Sequence, residues 1–314
     1  MNAAVVEEYG TPRYRAFEEP VAGHGQLVVE VEAAGLNPVD QAKAAGRFYT
    51  GRAPLPFVAG SEGVGTVEGG RRVYFDTTVA PSGSMAERTL VNASDAFDVP
   101  DGLDPGLAVA VGIAGLAAWL PLAWRARLQP GETVLVLGAT GVVGSIAVQA
   151  AKLLGAARVV AAGRSEQALA RAAAHGADAT VRLGELEGDD LTAAFREAAG
   201  GGVDVVIDPL WGAPAIAALG ALGDSGRLIQ IGQSAGATAT VPSAIVRGKL
   251  AEIRGHTNFL APQEVKAEGY RALAEHAAAG RIAVDVERAP LSDVAAVWAR
   301  QQAGGHGKKL VLVP

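Results

Sequence analysis

The chain has 314 residues, 49% of them apolar and 19% charged, with a formal net charge of −6; that length exceeds what one hydrophobic core usually serves, so two domains are expected. The acidic balance leaves no basic stripe to neutralise phosphates, which argues against a nucleic-acid partner. Cysteine is absent, which excludes disulfides, thiolate nucleophiles and cysteine-ligated zinc.

The opening residues, MNAAVVEEYG, carry no basic segment followed by a long apolar run, so no secretory leader is expected and the location is read as cytoplasmic. The first hundred residues then read as short strands separated by Gly, Pro, Asn and Asp: Met1–Val6, Gln26–Ala33, Val64–Val67, Arg72–Phe75 and Ser84–Val91. Such punctuation suits a compact barrel-like domain. Leu107 to Trp124 is an uncharged, largely apolar run of 18 residues, long enough to raise a membrane span. Its Ala and Gly content and the internal Pro121 favour a buried helix at a domain junction instead, and no membrane partner is expected.

From Gly131 the pattern changes to strand–helix alternation. Thr133–Leu137 is a continuous apolar run, as in a strand buried on both faces of a parallel sheet. Gly141–Leu154 has helical periodicity, Arg158–Ala162 reads as a strand, and Ser165–His175 as a helix stopped by Gly176. Ala179–Leu183, Asp190–Ala199, Val203–Asp208, Ala213–Leu222 and Arg227–Ile231 continue the alternation, which predicts a doubly wound parallel sheet. After about Asn258 it lapses into a helix (Val265–Ala279), a strand (Val284–Ala289), a helix (Leu291–Gln302) and a last strand (Lys309–Val313). These are expected to return to the first domain.

The strongest chemical signal is the passage from strand to glycine turn to helix at Val134-Leu-Val-Leu-Gly-Ala-Thr-Gly-Val-Val-Gly144. Measured against G-x-G-x-x-G, Ala139 stands first and Gly141 and Gly144 fill the other places. Gly141 lets the backbone approach a pyrophosphate, Gly144 lets the helix pack on the strand, and the helix N-terminus receives the phosphates. Ala139, Thr140, Gly141, Val142, Val143 and Gly144 are therefore the expected cofactor-binding turn. At the end of the next strand stands Gly163-Arg164-Ser165. An NAD site usually places Asp or Glu there; Arg164 instead pairs with a 2′-phosphate and stacks on adenine, Ser165 adds a hydroxyl, and the cofactor is read as NADP(H). Asp208, Leu210 and Trp211 after the fourth strand, and Gly232, Gln233 and Ser234 after the fifth, lie at carboxyl ends of strands, where such sheets bind ligands.

Four stretches in order, Ala34-Gly-Leu-Asn-Pro-Val-Asp40, Val58-Ala-Gly-Ser-Glu-Gly-Val-Gly65, Gly138-Ala-Thr-Gly-Val-Val-Gly144 and Gly307-Lys-Lys-Leu-Val-Leu-Val313, resemble the medium-chain dehydrogenase/reductase superfamily, specifically its zinc-free, ζ-crystallin-like quinone oxidoreductase branch. The resemblance covers essentially the whole chain. It implies an α/β fold in which a Rossmann doubly wound parallel sheet (116–258, NADP-binding) is inserted into a GroES-like β-rich substrate domain (1–115 and 259–314). It also implies a homodimer joined through an edge strand near Leu250–Gly255. Zinc-dependent relatives carry a Cys near Asn37 and Gly-His-Glu where this chain has Gly60-Ser61-Glu62, so no metal is expected. Without a Lewis acid the implied substrates are electron-poor small molecules, quinones or the C=C bond of α,β-unsaturated carbonyls.

The resemblance places Asn37 and Asp40 at the floor of the active-site cleft, with turn chemistry as the plainer alternative. Phe48 and Tyr49 fall where relatives present aromatic residues to substrate, with Tyr49 also a speculative proton donor. Trp211 and Phe259 complete the expected substrate lining. Glu62 reads either as a cofactor contact or as a turn cap, and His256 and Asn258 lie just after the last Rossmann strand. Two other functions stay open: reduction of an activated alkene or acyl-thioester in biosynthesis, and an NADPH-binding sensor or structural protein without turnover.

Overall fold

The computed structural model describes residues 1–48, 51–305 and 307–314; Tyr49 lies outside them. The chain forms two compact units, Met1–Ala114 with Tyr270–Pro314, and Gly115–Gly269.

The first unit begins with β1 (Asn2–Val6), β2 (Arg13–Ala16) and β3 (Gln26–Gly35), followed by helix α1 (Pro38–Ala44). β4 (Phe57–Val58), β5 (Glu62–Val67), β6 (Arg72–Phe75), β7 (Arg88–Asn92), β8 (Ala96–Asp98) and helix α2 (Pro105–Ala110) come next. Three strands pair in the order β2-β1-β4, while β3, β5, β6 and β8 form a second, larger sheet with β7 also on β3. Glycine at position 65 is required, because a Cβ there would lie 2.0 Å from the Glu30 carbonyl oxygen on the neighbouring strand. The expected strand over Ser84–Val91 is shorter. Met85 hydrogen-bonds by its backbone to Ala4 and Ala59 and Ala86 makes a single bridge to Ala3, so regular pairing with β3 runs only over Arg88–Asn92.

The junction run is three helical pieces rather than one helix: α2, α3 (Ile113–Leu120) and a π-helical turn at Pro121–Ala126. Gly112 stands at the break between the first pair, where a Cβ would sit 2.3 Å from the Tyr74 ring. Pro121 has no N–H to continue the ladder, so the backbone widens. No helix among the described residues is long and apolar enough to cross a membrane.

The second unit holds β9 (Thr133–Val136), α4 (Val142–Leu153), β10 (Arg158–Gly163), α5 (Glu166–Ala174), β11 (Ala179–Arg182) and α6 (Gly188–Ala199). The alternation continues with β12 (Val203–Asp208), α7 (Gly212–Ala221), β13 (Leu222–Gln230), α8 (Ser243–Gly248) and β14 (Glu252–Gly255). Its six strands are ordered β11-β10-β9-β12-β13-β14 and every pair is parallel. This is the doubly wound Rossmann order, in which the direction of winding reverses between the first and fourth strands. β9 is buried along Val134–Val136, and Leu135, Val206, Phe195 and Leu219 belong to one apolar core. Ile253 on the edge strand β14 and Leu250 before it are exposed.

Helix α9 (Gln263–Ala278) leads back into the first unit, where β15 (Val286–Pro290), α10 (Val294–Ala303) and β16 (Lys309–Val313) complete the larger sheet as β15-β16-β3. Trp298 of α10 is buried among Val6, Leu36, Met85 and Leu312. Tyr270 stacks on Tyr74 at 4.2 Å between ring centres.

Candidate functional site

In the second unit, β9 runs into Gly138, whose φ of 61° turns the chain. Gly141 then caps α4 in an extended conformation with no side chain satisfying the helix end. The N–H groups of Val142, Val143 and Gly144 open that helix and have no acceptor within it, which makes the turn a donor array for an anion. A Cβ on Gly144 would meet the Gly138 oxygen at 2.3 Å and the Ala139 Cα at 2.6 Å, whereas one on Gly141 meets nothing nearer than 3.6 Å. Gly144 thus serves the packing of helix on turn, and the space at Gly141 is open. A dinucleotide phosphate fits that combination.

The neighbouring strand supports the turn. The Ala139 N–H donates to the Ala162 oxygen at 2.9 Å, and a Cβ on Gly163 would collide with the Thr140 methyl at 2.4 Å. Arg164 follows β10 and is exposed. The Ser165 hydroxyl caps α5 by accepting from Ala168 N at 3.3 Å, so its oxygen already has a structural task.

At the other side of the reversal, Asp208 ends β12 fully buried. Its Oδ1 accepts the N–H groups of Leu210 at 2.9 Å and Trp211 at 2.8 Å. Those bonds hold Trp211 at a φ of 57°, which a bulky residue rarely adopts. Asp208 Oδ2 is buried with no hydrogen bond among the described residues, and burial pushes the carboxyl above its ordinary range against the two N–H donors. Gly232 packs on the same turn, where a Cβ would lie 2.6 Å from the Pro209 oxygen. The Ser234 hydroxyl donates to that oxygen at 3.2 Å, and Gln233 is exposed. Beyond β14, His256 Nε2 lies 2.9 Å from Asn258 Oδ1, and Phe259 is half-buried in a 3-10 turn over Asn258–Leu260.

Because the Asp208 carboxyl is raised, its ionisation weakens the folded state: the contribution is most favourable below the unfolded-state value and is lost as pH rises through the folded one. Asp208→Asn keeps the Oδ1 acceptor and removes the charge. It is expected to raise stability at neutral pH by about 1 kcal/mol, with the advantage shrinking on acidification. Urea unfolding of both proteins across that pH range checks the sign.

In the first unit, Asn37 and Asp40 form the start of α1. Asn37 is the N-cap, Pro38 the first helical residue, and the Asp40 carboxylate reaches back to the Asn37 N–H at 2.8 Å. The turn chemistry is therefore present, but the side chains do more. Asn37 Nδ2 donates to Glu62 Oε1 at 2.7 Å, and Asn37 Oδ1 accepts from Lys309 Nζ at 2.6 Å. Lys309 Nζ also contacts Glu62 Oε1 at 2.6 Å, while Glu62 Oε2 accepts from the Tyr74 hydroxyl at 3.0 Å and Ile113 N at 2.6 Å. Glu62 is thus the centre of a buried network within this unit, which neither sequence reading of it anticipated. Burial, reinforced by the Glu62 carboxylate, pushes the Tyr74 phenol well up.

Asp40 Oδ1 accepts from the Ser61 hydroxyl at 2.7 Å, and Ser61 accepts from Lys43 Nζ at 2.9 Å. Asp40, Lys43 and Phe48 line one cleft of about 530 Å³ in this unit. Burial pushes the Asp40 carboxyl up, opposed by the bonds from Ser61 and Asn37. No three His, Asp or Glu side chains among the described residues converge to hold a metal ion.

Of the residues singled out by sequence, those at 139–144, 163–165, 208–211 and 232–234 gather at carboxyl ends of β9, β10, β12 and β13 in the second unit. Phe48 belongs to the first unit, and Trp211 and Phe259 to the second. Sequence reasoning gave no role to Lys43, Ser61 or Lys309. Lys309 had a usable signal, a lysine opening a final strand that is otherwise apolar.

Residues 142–273 match the family described as zinc-binding dehydrogenase, and residues 23–101 the alcohol dehydrogenase GroES-like domain. The mouse quinone oxidoreductase-like protein 2 is 31% identical over 235 residues, covering 71% of this chain and 65% of the relative's length. Among solved structures, a mycobacterial quinone oxidoreductase superposes with a TM-score of 0.90 at 28% identity over 100% of both chains. The quinone oxidoreductase of Thermus thermophilus, solved alone and with NADPH, does so with a TM-score of 0.85 at 32% identity, again over 100% of both.

Proposed function

The chain belongs to the quinone oxidoreductase branch of the medium-chain dehydrogenase/reductase superfamily, and from that premise we propose that it is an NADPH-dependent, zinc-independent reductase of small electron-poor acceptors. Quinones and the C=C bond of α,β-unsaturated carbonyls are the substrate classes. The observation that carries this reading is the open, uncapped turn at Gly141, at the winding reversal of a parallel sheet, with Arg164 after the adjacent strand.

When bound, NADPH supplies the hydride. The N–H groups of 142–144 hold its phosphates, and the Arg164 guanidinium pairs with the 2′-phosphate. The loops at Asp208–Trp211 and Gly232–Ser234 border the cofactor, with the Asp208 carboxylate fixing the first of them. The acceptor docks in the cleft of the first unit against Phe48. Metal independence rests on donor chemistry: the chain has no cysteine, the Ser61 hydroxyl is given to Asp40, and both Glu62 oxygens are engaged. Two copies pair through β14, whose neighbourhood leaves Leu250 and Ile253 exposed.

Titration of nicotinamide fluorescence tests the cofactor assignment. The wild-type protein is expected to bind NADPH roughly 10- to 100-fold more tightly than NADH, the worth of one charge-assisted contact. Arg164→Ala is expected to raise the dissociation constant for NADPH and leave that for NADH alone. Equal effects on both nucleotides would remove Arg164 from the site.

A further inference from the structure

In the first unit Lys43, Ser61 and Asp40 form a chain of three polar groups with no part yet assigned in the reaction itself. Lys43 stands in the last turn of α1, its ammonium 2.9 Å from Ser61 Oγ and 5.6 Å from the centre of the Phe48 ring. Ser61 is buried and gives its only proton to the buried Asp40 carboxylate at 2.7 Å. It therefore meets Lys43 as an acceptor, and Asp40 is in turn fixed by the Asn37 N–H at 2.8 Å. Both ends of this chain lie on the cleft lining, the carboxylate buried and already bonded, the ammonium half-buried. Arg52 is the other cation on the lining, but it stacks on Tyr9 at 5.4 Å and donates to the Gly46 oxygen at 3.3 Å. A held ammonium in a cleft whose lining is otherwise largely apolar, with Phe48, Pro54, Pro56 and Val58, fits a conjugated molecule whose carbonyl oxygen gains negative charge.

We propose that Lys43 is the electrophile and proton donor of the reaction, hydrogen-bonding the acceptor's carbonyl oxygen, with Ser61 and Asp40 as positioning residues. The inference rests on the reductase reading. In an enone, hydride from NADPH adds to the β-carbon, the C=C pair shifts toward the carbonyl, and its oxygen becomes an enolate. An N–H bond of Lys43 breaks as an O–H bond forms, giving the enol. The neutral amine recovers a proton from water, and the enol becomes the ketone in solution. In a quinone, hydride adds to the ring carbon conjugated with that carbonyl, the oxygen takes the Lys43 proton in the same way, and the resulting keto tautomer becomes the hydroquinone by exchange of its ring-carbon proton with water.

Two measurements test this, and the first needs no cofactor. 4-Nitrophenol presents a planar ring and an oxygen whose ionisation is visible as yellow colour. Bound to the wild-type protein, it is expected to ionise about one pH unit lower than in solution, a tenfold preference for the phenolate. Lys43→Met is expected to abolish that shift. The proposal is overturned if Lys43→Met binds the phenolate as the wild type does, or if Arg52→Met is the variant that loses the shift. The second measurement is enone reduction: Lys43→Met is expected to lower kcat by roughly 100- to 1000-fold with the KM for NADPH unchanged. Ser61→Ala is expected to lower kcat about tenfold while keeping the phenolate shift in reduced form. An unchanged kcat in Lys43→Met would also overturn the proposal. If the wild type shifts 4-nitrophenol but reduces no acceptor, the reductase reading fails while the Lys43 site stands.

Discussion

Replacing Lys309 by methionine is expected to lower the unfolding free energy of the first unit by about 3–5 kcal/mol, the usual result of leaving a buried charge without its partner. Lys309 is 2% exposed and Glu62 fully buried, so water cannot compensate either one. The ammonium gives its donors to Glu62 Oε1, Asn37 Oδ1 and, more loosely, the Leu36 oxygen at 3.5 Å. Methionine fills much of the volume but satisfies none of them. Adding Glu62→Gln removes the stranded charge while keeping acceptor capacity, so the double variant is expected to recover about half the loss. Hydrogen exchange of first-unit amides through a urea series reads this unit separately from the other. The network also ties β16 to the entrance of α1 through Asn37, so Lys309→Met is expected to loosen α1, where Asp40 and Lys43 reside. A variant as stable as the wild type would mean the network carries no net stability.

The glycine turn gives the second large effect, and two substitutions there separate packing from binding. Gly141→Ala adds a methyl whose nearest neighbour is 3.6 Å away, at a φ of −89° that alanine accepts readily. Its stability is expected to match the wild type within about 0.5 kcal/mol. The methyl nevertheless occupies the space through which the pyrophosphate approaches, so NADPH affinity is expected to fall at least about 30-fold, the loss of roughly 2 kcal/mol of phosphate contacts. Gly144→Ala places its methyl 2.3 Å from the Gly138 oxygen. Helix α4 must then move off the turn, and both stability, by about 1–3 kcal/mol, and binding are expected to decline. Calorimetric titration with NADPH, alongside thermal unfolding of each variant, distinguishes the two patterns.

The second unit was legible in the sequence because its signals are local. A strand buried on both faces is a run of apolar residues, and a glycine turn followed by helical spacing is contiguous, so Thr133–Gly144 announced the strand, the turn and the start of the helix. β10 and β12 repeat the device. The first unit was less legible, since its chemistry joins residues far apart in sequence. Asn37, Glu62 and Lys309 meet only because β3, β5 and β16 are neighbours in one sheet. The lysine that opens the last, otherwise apolar strand signals burial, but nothing in its spacing names Glu62 and Asn37 as its partners. Helix α1 was overlooked although Asn37-Pro38 with Asp40 is a sound N-terminal signature; Asn-Pro invites a turn reading, and seven residues are too few to show periodicity. The junction run was read as a single helix because apolarity says nothing of where Tyr74 presses on Gly112. Asp208 does stand at the end of a strand, but its grip on the N–H groups of Leu210 and Trp211 depends on side-chain geometry that sequence does not carry.

Zinc-independent, NADPH-selective reduction is read by the initial rate of NADPH oxidation, in EDTA, with a simple quinone and with an α,β-unsaturated ketone, repeated with NADH. Turnover is expected to be untouched by EDTA and to fall roughly 10- to 100-fold when NADH replaces NADPH. Turnover lost in EDTA and restored by zinc, or equal rates with the two nucleotides, would contradict the zinc-independent, NADPH-selective reading.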